Sequence, residues 1–434
     1  MSPNLRNIIS VLVIMTSVWN NSNANSAIVN TVLASPSVHN PNVYSTKEIT
    51  PPHAVTWTTI EPPAGPSGEA SAGSSTNFTL SKFGIIEQIL LSYDKYATTA
   101  TESMQLRVGD VFRCIRRIDL LSSSRVISTL SSETLIAQWS NLEFSQVSPI
   151  LTAAVNGRAI NTGQKETFVL PLVFPLMNEV GTQMNSTFLE PLSIQVHWNH
   201  LTGLAAGAAA TGAGTTVDNI HLKVRYKNYP EESTSQILAG NFSSPELNLL
   251  SETWYNENTV VHKQAGDIGT VQTAQVDLKN TDAVTEFYVI VQRQLDIAAE
   301  TTATLPSYSP IEITELTFTG SGQEIFKLSG GELHYQKLTN NGFATTSSVG
   351  SYDEQYPLQN VGEFQTGRYA FSAGTDPCMS NCMSLREVNA PRITVKFKAT
   401  GAADDLYQIT VVEKALAIYA ISSATGRMTL ALSN

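Results

Sequence analysis

From Asn77 onward, apolar and polar residues alternate with a period of two in stretch after stretch. Leu192, Ile194, Val196 and Trp198 are separated by polar residues, as are Ile220, Leu222, Val224 and Tyr226. Ile393, Val395 and Phe397 interleave with Thr394, Lys396 and Lys398, and Phe287, Val289 and Val291 mark another such face. A period of two sends successive side chains to opposite sides of an extended chain, so each stretch predicts a strand with one buried face. Two runs, Phe168 to Phe174 and Leu416 to Ile421, are apolar throughout and predict strands buried on both sides. Helical periodicity is scarce. The clearest case is Ser132 to Trp139, where Ser131 can cap the N-terminus and Leu135 and Trp139 share a face. Many short strands separated by turn residues predict β-sandwiches.

The strands recur in a pattern. Phe168-Val169-Leu170-Pro171-Leu172 is followed by a strand around Ile194 and another around Leu222. Tyr369-Ala370-Phe371-Ser372 is followed by strands around Ile393 and Ile409 at similar spacing. The first half is longer by Thr202 to Thr216, a Gly/Ala-rich stretch without alternation that reads as a flexible loop. With that insertion set aside the halves match, which predicts two β-domains in tandem joined near residues 227–250. The expected division is an N-terminal arm over 1–76, a first domain over 77–240 and a second over 241–434. Residues 20–76 are rich in Asn, Ser, Pro, Ala and Gly, with Pro51-Pro52 and Pro62-Pro63 among them, and predict an extended arm with little regular structure.

Composition narrows the function. The 434 residues are 42% hydrophobic, enough for sizeable cores, and carry a net charge of −11. An acidic chain is poorly suited to non-specific nucleic-acid binding, which depends on cations meeting phosphates. Residues 1–105 hold Arg6, Lys47, Lys82 and Lys95 as their cations, so there is no basic arm. Ile8 to Trp19 is apolar but too short to span a membrane as a helix. It reads either as a weak signal peptide or as an apolar arm that packs on a neighbouring subunit or touches lipid.

Candidate chemistry is sparse. No phosphate-cradling glycine loop, His-Glu-x-x-His pair or nucleophile elbow occurs. His197 and His200 are spaced for a metal pair but sit on a predicted strand end, where a solvated histidine is the simpler reading. Cys378 and Cys382 could be free thiols, a loop disulfide or half a metal site, and the remaining cysteine is Cys114. Arg113, Arg116 and Arg117 form a small basic cluster suited to an ion pair or an anionic partner. On a strand, Arg113 and Arg117 would share one face, with Phe112, Cys114 and Arg116 on the other. Glycosylation sequons begin at Asn20, Asn77, Asn185 and Asn241. These residues support no catalytic, cofactor or metal assignment, so the expectation is a non-enzymatic protein that works by packing against other chains.

The order of the motifs resembles the double jelly-roll major capsid proteins of icosahedral double-stranded DNA viruses, in the manner of the nucleocytoplasmic large DNA viruses, virophages and polinton-like viruses. Phe78-Thr79-Leu80-Ser81-Lys82-Phe83-Gly84-Ile85-Ile86 is similar to the family's first strand and turn, with Ile85 in place of an acidic residue. Phe112 to Leu120 with Val126-Ile127, Thr167 to Phe174 and Leu189 to Val196 follow in the family's order. In the second half, Ile313 to Phe326, Tyr369 through Arg386 and Leu416 to Leu432 do the same. The Cys-Met-Ser-Asn-Cys run and the long apolar arm depart from the family pattern.

The resemblance implies an all-β fold of two tandem antiparallel jelly-roll sandwiches. It implies a capsid protein of the virion shell, assembling as homotrimers of pseudo-sixfold outline. Expected partners are neighbouring trimers, minor capsid or penton proteins and, through residues 8–19, an internal membrane. The loops Thr202 to Thr216 and Ala298 to Pro310 would project outward. The alternative expectation is a secreted carbohydrate-binding β-sandwich protein, drawing on the signal-like start and the sequons.

Overall fold

The structure is a computed structural model. It describes residues 54–63, 74–97, 104–106, 112, 115–141, 159–160, 166–177, 184–198, 205–206, 215–228, 246–280, 283–294, 311–329, 332, 368–372 and 383–431.

Four larger antiparallel sheets build two sandwiches. In the first sandwich, β1 (Ala54–Ile60), β11 (Thr215–Asn228), β3 (Ile85–Ala97) and β8 (Glu166–Leu172) lie side by side in that order. The facing sheet runs β2 (Ser75–Thr79), β9 (Leu192–Trp198), β5 (Ile115–Ser122) and β6 (Arg125–Ser131). In the second sandwich, β12 (Glu246–Lys263), β20 (Leu406–Ser422), β14 (Ala283–Arg293) and β17 (Arg368–Ser372) form one sheet. Two short strands join it: β18 (Met383–Ser384) pairs with β14, and β21 (Met428–Ala431) pairs with β20. The facing sheet is β13 (Val271–Asp277), β19 (Arg392–Lys398), β15 (Ile313–Gly320) and β16 (Gln323–Ser329).

The two halves have the same topology. Counting the eight principal strands of each in chain order, one sheet reads first, eighth, third, sixth and the other second, seventh, fourth, fifth. This is the jelly-roll connection, made twice. The repeat visible in the sequence falls on equivalent strands, with β8 matching β17, β9 matching β19 and β11 matching β20.

Alternation sets which residues build the cores. In β9 the odd-even pattern of burial follows the sequence residue by residue. Leu222, Val224 and Tyr226 of β11 and Ile393, Val395 and Phe397 of β19 are all fully buried. The helix α1 (Ser132–Asn141) follows β6, and Ser131 Oγ accepts from the Thr134 N–H at 3.1 Å, an N-cap of the expected kind.

Several expectations are corrected. The stretch read as an arm with little regular structure holds β1 and the start of β2, and β1 pairs with β11 from Ala54↔Asn228 to Ile60↔Leu222. Flanking prolines and glycines masked a strand-forming Val-Thr-Trp-Thr-Thr-Ile run between them. β8 is buried on one face only, since Val169 and Thr167 are exposed while Phe168 and Leu170 are buried. β14 shows the reverse. Phe287, Val289 and Val291 enter one core, and Tyr288 and Ile290 on its other face enter the second. In the Leu416 to Ile421 run, Ile418 is exposed. Within the glycine- and alanine-rich insertion, β10 (Ala205–Ala206) pairs with β4 (Met104–Leu106), which also pairs with β7 (Ala159–Ile160). That small sheet ties together the connections after the third, fifth and seventh principal strands of the first sandwich. Thr215 and Thr216 at the end of the insertion open β11, while Ala298 to Pro310 and residues 202–204 and 207–214 lie outside the described residues.

Candidate functional site

Of the chemistry-bearing residues singled out by sequence, Arg117, His197 and Asn185 make contacts within the fold. Asp119, buried in β5, accepts from Thr129 Oγ1 at 2.7 Å, and its other oxygen lies 3.1 Å from both Arg117 Nε and His197 Nε2. His197 is therefore a half-buried partner of a carboxylate, and His200 lies outside the described residues. Arg116 and Arg117 do not occupy opposite faces as simple alternation predicts. A β-bulge between Ile115 and Arg117 exposes both. Arg113, Cys114, Cys378 and Cys382 lie outside the described residues, as do Asn20, Asn241 and Ile8 to Trp19. Asn77 is exposed on β2. Asn185 Oδ1 accepts from the Thr187 N–H at 3.1 Å, closing a local turn. Among the described residues no three His, Cys, Asp or Glu side chains converge as metal ligands. Nor is any helix among them long and apolar enough to cross a membrane.

The distinctive interior feature is the seam between the sandwiches. β6 and α1 lie against β12, and α1 also meets β20. Leu249, Trp254, Tyr288, Ile290, Val412, Tyr419 and Ile421 of the second sandwich belong to the same continuous core as the interior of the first. Polar contacts cross this seam. Ser251 Oγ accepts from the Leu176 N–H at 2.8 Å, Gln408 Nε2 donates to Glu133 Oε1 at 3.2 Å, and the Gly426 carbonyl accepts from the Glu190 N–H at 2.9 Å.

Buried charge sits on the same sheet. Lys414 Nζ lies 2.9 Å from Glu252 Oε1 and 5.9 Å from the centre of the Trp254 ring. Glu286, directly opposite Lys414 in the register, accepts from Tyr288 Oη. Burial pushes the Glu286 carboxyl above its ordinary range, an effect that nearby Lys414 partly offsets. Burial raises the Tyr288 phenol well above its ordinary value, and the adjacent Glu286 adds to that. One lysine thus faces two carboxylates. Sequence reasoning missed this cluster because its members are far apart in the chain and β14 was read as one-sided.

Outer surfaces of equivalent sheets differ. The β12–β20–β14 sheet is covered on its outer face by the first sandwich. The outer face of the equivalent β1–β11–β3–β8 sheet carries Trp57, 50% exposed, with Val55 and Val169 also exposed. Arg225 stands over the Trp57 ring at 6.0 Å and pairs with Glu87 at 3.1 Å. The fifth strands differ in parallel. In β6, which lies against β12, Ile127, Ser128, Leu130 and Ser131 are buried and Val126 is 50% exposed, whereas in β16 Ile325 is 44% exposed and Phe326 and Leu328 are half-buried.

No protein-family model and no curated protein matches the chain. Solved structures do. The VP54 protein of PBCV-1, solved by crystallography and fitted into a reconstruction of the virophage Sputnik, superposes with a TM-score of 0.61 at 13% identity, covering 89% of this chain and 98% of that one. The Faustovirus major capsid protein gives 0.54 at 9% identity, covering 91% and 97%. The mavirus major capsid protein gives 0.52 at 12% identity, covering 92% and 95%. The likeness spans both sandwiches and almost the whole of each relative, and the chain has their double jelly-roll fold.

Proposed function

We propose that this protein is a major capsid protein of an icosahedral double-stranded DNA virus, building the virion shell as homotrimers. The fold is that of the Faustovirus and mavirus major capsid proteins over nearly their full length. The observation that carries the reading is internal. Within one chain, the fifth strand and following helix of the first sandwich cover the outer face of the first–eighth–third–sixth sheet of the second. The second sandwich has an equivalent fifth strand, β16, with Ile325 exposed, and the first has an equivalent sheet face, with Val55, Trp57 and Val169 exposed.

Repeating the internal contact between chains joins β16 of one copy to the Trp57 face of the next. Such a head-to-tail contact closes when its rotation divides a full turn. With six similar sandwiches around one axis, three chains complete the ring. The rolls of this reading run from β1 to β11 and from β12 to β21, with the division near residue 240 in the connection between β11 and β12. Neighbouring trimers and minor capsid or penton proteins would meet the outside of that ring. Catalysis has no part in the reading, since burial and shape drive assembly.

Light scattering on the purified protein tests it, with intact mass measured on the same sample. Three times the 47.0 kDa chain mass is the expected result. A monomer lacking its first two dozen residues overturns it and restores the secreted binder. A sugar platform would need several coplanar exposed aromatic rings. Among the described residues the large exposed aromatics are Trp57 and Phe83, on separate elements, so nothing here favours that alternative.

A further inference from the structure

Sheet edges attract added strands unless charge, proline or a bulge blunts them. The outer strands of the four main sheets are nearly all blunted in this way. β8 carries Glu166 and Pro171, β6 Arg125, β12 Glu246, Glu252 and Lys263, β17 Arg368, β13 Asp277, and β16 Glu324 and Lys327. Of these strands β1 and β2, with the short added strands β18 and β21, have neither charge nor proline, and β1 at seven residues is the longest of the four. β1 also lacks full cover. Its inward residues Thr56, Thr58 and Ile60 are half-buried, although their partners Tyr226, Val224 and Leu222 are completely buried. Its outward residues Val55 and Trp57 are exposed apolar side chains. Among the described residues no strand pairs with the outer edge of β1, and a strand added there would meet half-buried residues on one face and exposed apolar residues on the other.

The chain contains a segment suited to that edge. Ile8-Ile9-Ser10-Val11-Leu12-Val13-Ile14 is rich in β-branched residues, apolar on both alternating faces and free of charge and proline. No charged residue lies between Arg6 and Lys47, so nothing in this stretch resists lying along an uncharged edge. The tether of residues 15–53 can reach on the order of 100 Å when extended, at roughly 3.3 Å per residue. A tether of this kind also holds the segment near its own sheet at an effective concentration of order millimolar.

We propose that residues 8–14 add to the free edge of β1 in the same chain as a further strand of the β1–β11–β3–β8 sheet. The backbone supplies the attachment, and Val55, Trp57 and Ile60 supply apolar cover on the two faces. This assignment does not depend on the capsid reading, since it concerns the edge of one sheet within one chain.

Amide hydrogen exchange of residues 54–60 in the full-length protein tests it. In the wild type these amides exchange slowly, and Val11→Asp or Val13→Asp speeds them by about tenfold or more. Asn23→Asp, a charge placed in the same arm outside the segment, leaves them unchanged. Exchange in β20 stays constant throughout, which shows that each variant is folded. Roughly fiftyfold dilution leaves the protection intact, as a same-chain contact requires. Equal exchange of residues 54–60 in wild type and Val11→Asp overturns the proposal, and so does protection that fades on dilution. Lipid is the competing partner for the segment. If phosphatidylcholine vesicles bind the wild type and its β1 then exchanges as fast as in Val11→Asp, the segment belongs to the membrane and the proposal fails.

Discussion

Gly426 of the second sandwich lies against the Phe188 carbonyl of the first, so close that a β-carbon on Gly426 would overlap that oxygen. Its φ is +69°, a conformation glycine adopts freely and other residues resist. Its own carbonyl accepts from the Glu190 N–H, so the backbones of the two sandwiches touch without an intervening side chain. Gly426→Ala must displace that contact as well as strain the turn. Urea unfolding is expected to show a loss of about 2–4 kcal/mol, while Gly322→Ala, at positive φ in open space, loses less.

The seam should respond to pH through Glu286. Its carboxyl titrates above the ordinary value because burial penalises the charged form. A group raised in the folded state stabilises below its unfolded pKa, and that contribution disappears as pH rises through the folded value. Unfolding free energy, measured from about pH 4 upward, should therefore contain a component that falls with rising pH. Glu286→Gln should remove this component, so that the wild type loses stability relative to the variant across the same interval. Parallel pH profiles for the two proteins would rule it out.

Asp119 gathers Thr129, Arg117 and His197 on one buried carboxylate. Asp119→Ala leaves those donors facing a void and is expected to cost about 2 kcal/mol. His197→Ala removes one half-exposed partner and should cost less than about 1 kcal/mol. Thermal melts with and without added zinc check both points. A zinc-dependent rise in the wild type that His197→Ala abolishes would revive the metal reading.

The contact between copies is testable at its two sides. Trp57→Glu and Ile325→Glu each place a charge on an exposed apolar position, and Ile325→Glu, away from the β1 edge, should leave the melting temperature of the single chain unchanged. The proposed trimer should dissociate about 10- to 100-fold more readily, in line with the loss of a buried aromatic or aliphatic anchor. Sedimentation at a series of concentrations measures this. An unchanged mass in both variants would place the contact elsewhere.

Much of this architecture is legible from short-range pattern. The alternation of Leu192 to Trp198 and the cap at Ser131 are set by near neighbours, and the structure keeps both. The duplicated strand order was also visible, because equivalent strands such as β9 and β19 carry similar alternation. What escaped depends on partners distant in sequence. β1 is a strand because β11 pairs with it more than a hundred and fifty residues later, and its local punctuation pointed to coil. The bulge at Arg116 is invisible until β5 and β9 are in register. The cluster of Glu252, Glu286, Tyr288 and Lys414 is assembled from three strands, and no single stretch hints at it. Of the sequence motifs that look chemical, Arg117 and His197 meet on Asp119, while Arg113 and His200 lie outside the described residues.

β14 serves two cores at once, with Phe287, Val289 and Val291 turned one way and Tyr288 and Ile290 the other. Adjacent residues of this strand therefore answer to different packing partners. A change at Val289 must be accommodated by β15 and β19 within the second sandwich, whereas a change at Ile290 must be accommodated by the other half of the chain. The two halves share one strand order, yet along this strand each is packed against residues of the other. A recombinant that exchanged one sandwich for a foreign one would inherit half the partners of β14 and lose the other half.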